Sequence, residues 1–127
     1  MARLHHVALY VRDLERARDF YTTYFDAIAG EIYHNRTTGL RTYFLHFSGG
    51  GALELMIRPG HEKARQERDL GWNHIALSLG DAFSVDSLTS RLEANGFRVL
   101  SGPRTTGDGF YESCIEDPDG NLVELTV

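Results

Sequence analysis

His5-His6-Val7-Ala8-Leu9-Tyr10-Val11 is the stretch that decides how this chain is read, because most of it is used twice. His6-Val7-Ala8-Leu9 returns as His74-Ile75-Ala76-Leu77, sixty-eight residues on. Leu53-Glu54-Leu55-Met56-Ile57 returns as Val123-Glu124-Leu125-Thr126-Val127, seventy residues on. Two nearly equal offsets mean two copies of one unit, each opening and closing on the same kind of strand. Between those ends, Asp13 is placed to cap a helix that carries Leu14, Ala17, Tyr21, Tyr24 and Phe25 at helical spacing. In the second copy Ser84 is read as the cap, Val85, Leu88 and Leu92 as one helical face, and Asn95-Gly96 as the stop. Turn residues at 35–39, 49–51, 107–109 and 117–120 break the chain beyond each helix into short strands. Each half therefore reads βαβββ, with its helix covering one face of a largely antiparallel sheet, and the fold class is α+β. The organisation expected is one domain over 1–127: a first module over about 1–58, a charged linker over about 59–71, and a second module over about 72–127. A short helix over Glu62–Glu67 is expected within the linker.

Strand alternation separates the chemistry from the packing. Val7, Leu9 and Val11 point one way, and His6, Ala8 and Tyr10 the other; Ile75, Leu77 and Leu79 oppose His74, Ala76 and Ser78. In the closing strands Leu53, Leu55 and Ile57 oppose Ala52, Glu54 and Met56, while Val123, Leu125 and Val127 oppose Leu122, Glu124 and Thr126. Each unit thus has an apolar face for its helix and a second face with one His and one Glu among small and apolar neighbours. A lone His at a strand start is ordinarily a hydrogen-bonded structural residue, and a lone strand Glu is ordinarily solvated. Their recurrence at equivalent positions is what makes His6, Glu54, His74 and Glu124 a candidate ligand set. Two carboxylates among apolar side chains are costly unless a cation offsets their charge, and neutral imidazoles with ionised carboxylates suit a divalent ion. Tyr10, Met56, Ser78 and Thr126 share faces with these four and are candidate substrate-cavity residues. His5, His34 and His61 read as packed or surface residues, and Trp72 as a packing residue. His46 lies in a strand whose facing the pattern leaves open.

Composition narrows the partners. The 127 residues carry a formal net charge of −5 and no basic run, so neither nucleic acid nor an anionic membrane is an expected partner. Cys114 is the single cysteine; a half-buried core thiol is its simplest reading. A lone thiol fits a reducing compartment. With no apolar signal segment and no stretch of membrane-spanning length, the chain reads as soluble and cytoplasmic.

His5 to Tyr21 resembles the opening of the vicinal oxygen chelate superfamily, and Glu116-Asp117-Pro118-Asp119-Gly120-Asn121-Leu122-Val123-Glu124-Leu125 resembles its closing strand–turn–strand. The resemblance covers essentially the whole chain. It implies paired βαβββ modules in a curved sheet around a metal-binding cavity, often in a homodimer, acting on a small molecule. The glyoxalase I pattern of ligands maps onto His6, Glu54, His74 and Glu124. It implies a lyase or isomerase using Ni, Co, Zn, Mn or Fe, in which Glu124, with Glu54 as partner, moves a proton through a metal-stabilised enediolate. Tyr10 and Arg58 stand where glutathione-dependent relatives tend to carry Arg and Asn, which argues against glutathione as a substrate component. Alternative readings of the same fold are an extradiol-type Fe(II) dioxygenase and a non-catalytic ligand-binding resistance protein.

Overall fold

The computed structural model describes residues 1–63 and 70–127. It divides into two compact units, Met1–Lys63 and Ala64–Val127, with the division inside the expected linker. The helix anticipated over 62–67 lies largely outside the described residues.

In the first unit, β1 (His6–Tyr10) leads into α1 (Leu14–Phe25), followed by β2 (Ile28–Ala29), β3 (Tyr33–His34), β4 (Arg41–His46) and β5 (Ala52–Ile57). The sheet runs β1-β5-β4-β2, with β3 also pairing β4. The stretch expected to form one strand after the helix is thus two very short ones. Asn35 makes the bend that comes after β3: its side-chain oxygen accepts from the Thr37 and Thr38 N–H groups. The second unit has the expected four strands, β6 (His74–Ser78), α2 (Ala82–Ala94), β7 (Val99–Thr105), β8 (Tyr111–Glu116) and β9 (Leu122–Thr126), ordered β6-β9-β8-β7.

The path is the same in both. The helix carries the chain from the first strand to the far edge of the sheet, and an antiparallel meander returns it beside that first strand. The last pairing, β1 with β5 and β6 with β9, is parallel, which only a crossover connection permits. In the first unit Leu14, Ala17, Phe20 and Tyr21 of α1 are buried, as are Tyr43 and Leu45 of β4 and Leu53 and Leu55 of β5. In the second, Val85, Thr89 and Leu92 of α2 are buried, as are Ser113, Ile115, Val123 and Leu125 of β8 and β9. Thr89 takes the place in the core that helical spacing assigned to Leu88. Its hydroxyl lies 2.6 Å from the Val85 carbonyl oxygen and 2.7 Å from the Ser113 hydroxyl, so neither polar group is buried without a partner. Trp72, expected to pack, is 82% exposed.

Asp13 caps α1, accepting from the Arg16 N–H at 3.0 Å. The cap of α2 is Asp81 rather than Ser84: the Ser84 N–H donates to the Asp81 carboxylate at 2.7 Å. Ser84 therefore sits inside the first turn as the donor that a cap satisfies. Those hydrogen bonds hold the Asp81 carboxyl below its ordinary range. Its contribution is accordingly present at neutral pH and lost as pH falls through the depressed value. At the other end, Gly96 takes the left-handed conformation (φ 88°) that closes the helix. Asp81→Ala is expected to lower the thermal unfolding midpoint at pH 7 more than Ser84→Ala does; the reverse order would return the cap to Ser84.

Candidate metal centre

The parallel ladders put one His and one Glu on the same face in each unit, in the same register. His6 pairs with Ala52 and Ala8 with Glu54; His74 pairs with Leu122 and Ala76 with Glu124. The imidazole and the carboxylate are therefore diagonal neighbours two positions apart across a parallel pair, close enough to meet. In the second unit His74 Nε2 lies 3.1 Å from Glu124 Oε2. In the first, His6 Nε2 lies 3.9 Å from Glu54 Oε1. The side chains are 37% and 20% exposed for His6 and Glu54, and 37% and 26% for His74 and Glu124. Each imidazole is thus reachable from solvent, while each carboxylate is largely covered.

The opposite edge of each imidazole is held by the residue before it. His74 Nδ1 is 2.8 Å from Asn73 Oδ1, and Nε2 is the ring nitrogen that faces Glu124. His6 Nδ1 is 2.9 Å from His5 Nδ1. His5 and Asn73, which strand alternation passes over, thus take equivalent orienting positions. The visible signal was that both repeats carry a polar residue before the His. Donors bound at right angles about 2.1 Å from one ion lie about 3 Å apart, so the second pair already has the separation of two adjacent ligands. The first pair, at 3.9 Å, stands wider than that. Among the described residues no group of three or more His, Cys, Asp or Glu side chains is set to hold a metal ion; the structure brings together His6 with Glu54, and His74 with Glu124.

The two faces differ in what else they hold. Beside Glu54, β4 supplies Phe44, whose ring meets His6 edge-on at 5.1 Å and stacks with His46 at 6.3 Å. His46, unassigned by pattern, is therefore on the His6 face. Beside Glu124, β8 supplies Cys114 directly opposite and Glu112 on the diagonal. Burial, reinforced by Glu112 against the pull of His74, raises the Glu124 carboxyl above its ordinary range. Burial, with Glu124 and its acidic neighbours, raises the Cys114 thiol, a poor setting for a nucleophile.

Of the four candidate cavity residues, Tyr10 is exposed with its ring 4.2 Å from that of His61. Met56 is half-buried between Tyr10 and Thr42 in the ladder. Ser78 is exposed, and the half-buried Thr126 donates to the Tyr111 carbonyl at 3.4 Å.

Residues 3–125 match the model of the Glyoxalase/Bleomycin resistance protein/Dioxygenase superfamily. The chain is similar to the Bacillus subtilis (strain 168) protein YqjT, 33% identical over 130 residues that cover 96% of each chain. It is also similar to the lactoylglutathione lyase of Escherichia coli O157:H7, 31% identical over 131 residues that cover 97% of this chain and 90% of the lyase. Among solved structures, the glyoxylase/bleomycin resistance protein/dioxygenase domain from Frankia sp. EAN1pec superposes with a TM-score of 0.86 at 21% identity, covering 100% of this chain and 98% of that one. No helix among the described residues is long and apolar enough to cross a membrane.

The raised Glu124 carboxyl has a stability consequence. The part of the fold's stability linked to it is fully present below the ordinary carboxylate range and is lost as pH rises through the raised value. Ionised Glu124 therefore costs the metal-free fold at neutral pH. Metal-free Glu124→Gln is expected to unfold at a higher temperature than the native chain at pH 7, with the difference disappearing near about pH 4. A lower midpoint at pH 7 would contradict this reading.

Proposed function

We propose that this chain, which belongs to the Glyoxalase/Bleomycin resistance protein/Dioxygenase superfamily, is a divalent-metal-dependent isomerase or lyase of the glyoxalase I kind, with His6, Glu54, His74 and Glu124 serving one ion. The observation that carries this reading is the duplicated His–Glu pair, set in identical register and oriented in each unit by the preceding side chain. Two neutral imidazoles and two carboxylates fit Ni, Co, Mn, Fe or Zn. A bound ion supplies Lewis acidity that draws electron density from a substrate carbonyl.

The chain's own residues do the rest. A carboxylate whose proton affinity is raised toward working pH is a better general base than an ordinary one, because it is ionised in useful fraction and holds the proton it takes. In the metal-free chain burial raises the Glu124 carboxyl above its ordinary range. Its task is to remove the proton from a hydroxyl-bearing carbon beside a carbonyl. A carboxyl on the other side of the substrate, Glu54 in this reading, returns a proton to the neighbouring carbon. The net change is an isomerisation that needs no oxidant. The half-covered faces around Met56 and Thr126 reduce the water that competes for these protons. Homodimer formation and a cytoplasmic location belong to the same proposal, in keeping with a small-molecule substrate.

The test is turnover of hemithioacetals formed from a 2-oxoaldehyde with glutathione and with other small thiols, in metal-loaded protein. The native chain is expected to isomerise at least one of them, and Glu124→Gln to lower kcat by at least about a hundredfold. Unchanged turnover in Glu124→Gln would remove the assigned base. Oxygen uptake with catechols, and no hemithioacetal turnover, would replace the isomerase reading with the dioxygenase one.

A further inference from the structure

The row of side chains next to Glu124 differs from its counterpart in the first unit. Glu112 pairs with Thr126 across β8 and β9, and Thr126 pairs with Ser78 across β9 and β6. Directly paired residues share a face of the sheet. Glu112, Thr126 and Ser78 therefore form one straight row on the ligand face, beside the row that holds Cys114, Glu124 and Ala76. In the first unit the same row is Thr42, Met56 and Tyr10. There Thr42 is buried, Met56 is half-buried and the Tyr10 ring lies against His61. One row is largely apolar, and the other is polar throughout.

The polar row has hydrogen-bonding capacity that the fold leaves unused. The Ser78 hydroxyl is exposed and has no hydrogen-bond partner among the described residues. Thr126 donates to the Tyr111 carbonyl at 3.4 Å, and its oxygen remains open to a donor. Glu112 is half-buried, and its side chain reaches the Glu124 carboxyl. Arg104 stands opposite Glu112 in the β7–β8 ladder, yet among the described residues no cation lies within ion-pair distance of Glu112. A half-covered carboxylate without a cation is stabilised by hydroxyl donors. Three neighbouring strands span about 10 Å, which lets the row meet several hydroxyls strung along a short carbon chain.

Building on the isomerase reading, we propose that the substrate derives from a hydroxylated 2-oxoaldehyde, whose hydroxyl-bearing chain is received by Glu112, Thr126 and Ser78 next to the reacting carbons. A plain alkyl chain would meet none of these groups' hydrogen-bonding needs, and a site that hydrogen-bonds a hydroxyl discriminates against the analogue lacking it. The test is a binding measurement that needs no turnover. Calorimetric titration of the Ni²⁺-loaded chain uses erythronohydroxamate and butyrohydroxamate as probes. Both bring the same hydroxamate to the ion on carbon chains of equal length, and they differ only in the hydroxyls. Erythronohydroxamate is expected to bind about tenfold or more tightly than butyrohydroxamate. Ser78→Ala and Glu112→Gln are each expected to lower that ratio by about threefold or more. Equal binding of the two probes, or an undiminished ratio in the folded Ser78→Ala/Glu112→Gln double variant, would overturn the hydroxylated substrate and leave the metal centre standing. Failure of both probes to bind would overturn this proposal together with the metal-dependent reading beneath it.

Discussion

A parallel ladder between the first and last strands of each unit is the constraint on which the rest depends. Such a ladder cannot be closed by a tight turn, so the chain must leave the sheet, cross it as a helix and return by a meander. The crossing helix then covers one face, and only the other is left for chemistry. Because side chains alternate strictly along a strand, a shift of one position in either ladder would drive His6 or Glu54, or their counterparts, into the apolar core. The pairings Ala8 with Glu54 and Ala76 with Glu124 hold the donor geometry and the core packing in one register. Alanine at both positions leaves room for the carboxylate to lean toward the imidazole.

On this common scaffold the two units have diverged where the ladder permits it. The first surrounds its pair with the rings of Phe44 and His46; the second surrounds its pair with Cys114 and Glu112. The Phe44 ring gives shape without charge, whereas an acidic neighbour adds to the burial that raises Glu124. Near-symmetric His–Glu pairs with unlike surroundings suit the proposed proton transfer, in which one carboxylate accepts the proton and the other returns it.

The architecture was largely legible in the sequence because repetition tests a pattern against itself. Alternation in the terminal strands placed His6, Glu54, His74 and Glu124 on faces away from the core, and the structure has them there. The α1 cap at Asp13 and the α2 stop at Asn95-Gly96 carried ordinary local signals. The features that escaped were set by less local physics. Two cap-competent residues three apart, Asp81 and Ser84, look alike until the first turn is built. β2 and β3, at two residues each, are too short to show a period. Glu112, Phe44 and His46 depend on the register of middle strands, and Asn73 and His5 on a ring's second nitrogen.

Both His–Glu pairs are held to serve a single ion, and metal stoichiometry tests that directly. Titration of metal-free protein with Ni²⁺ or Co²⁺, followed by elemental analysis after gel filtration, is made on the native chain and on His6→Ala and His74→Ala. One ion per chain is predicted for the native protein, and its loss in both variants, since each removes a ligand of the same centre. Two ions per chain, or a variant that keeps full metal binding, would show separate sites, and no binding of any divalent ion would contradict the metal centre altogether.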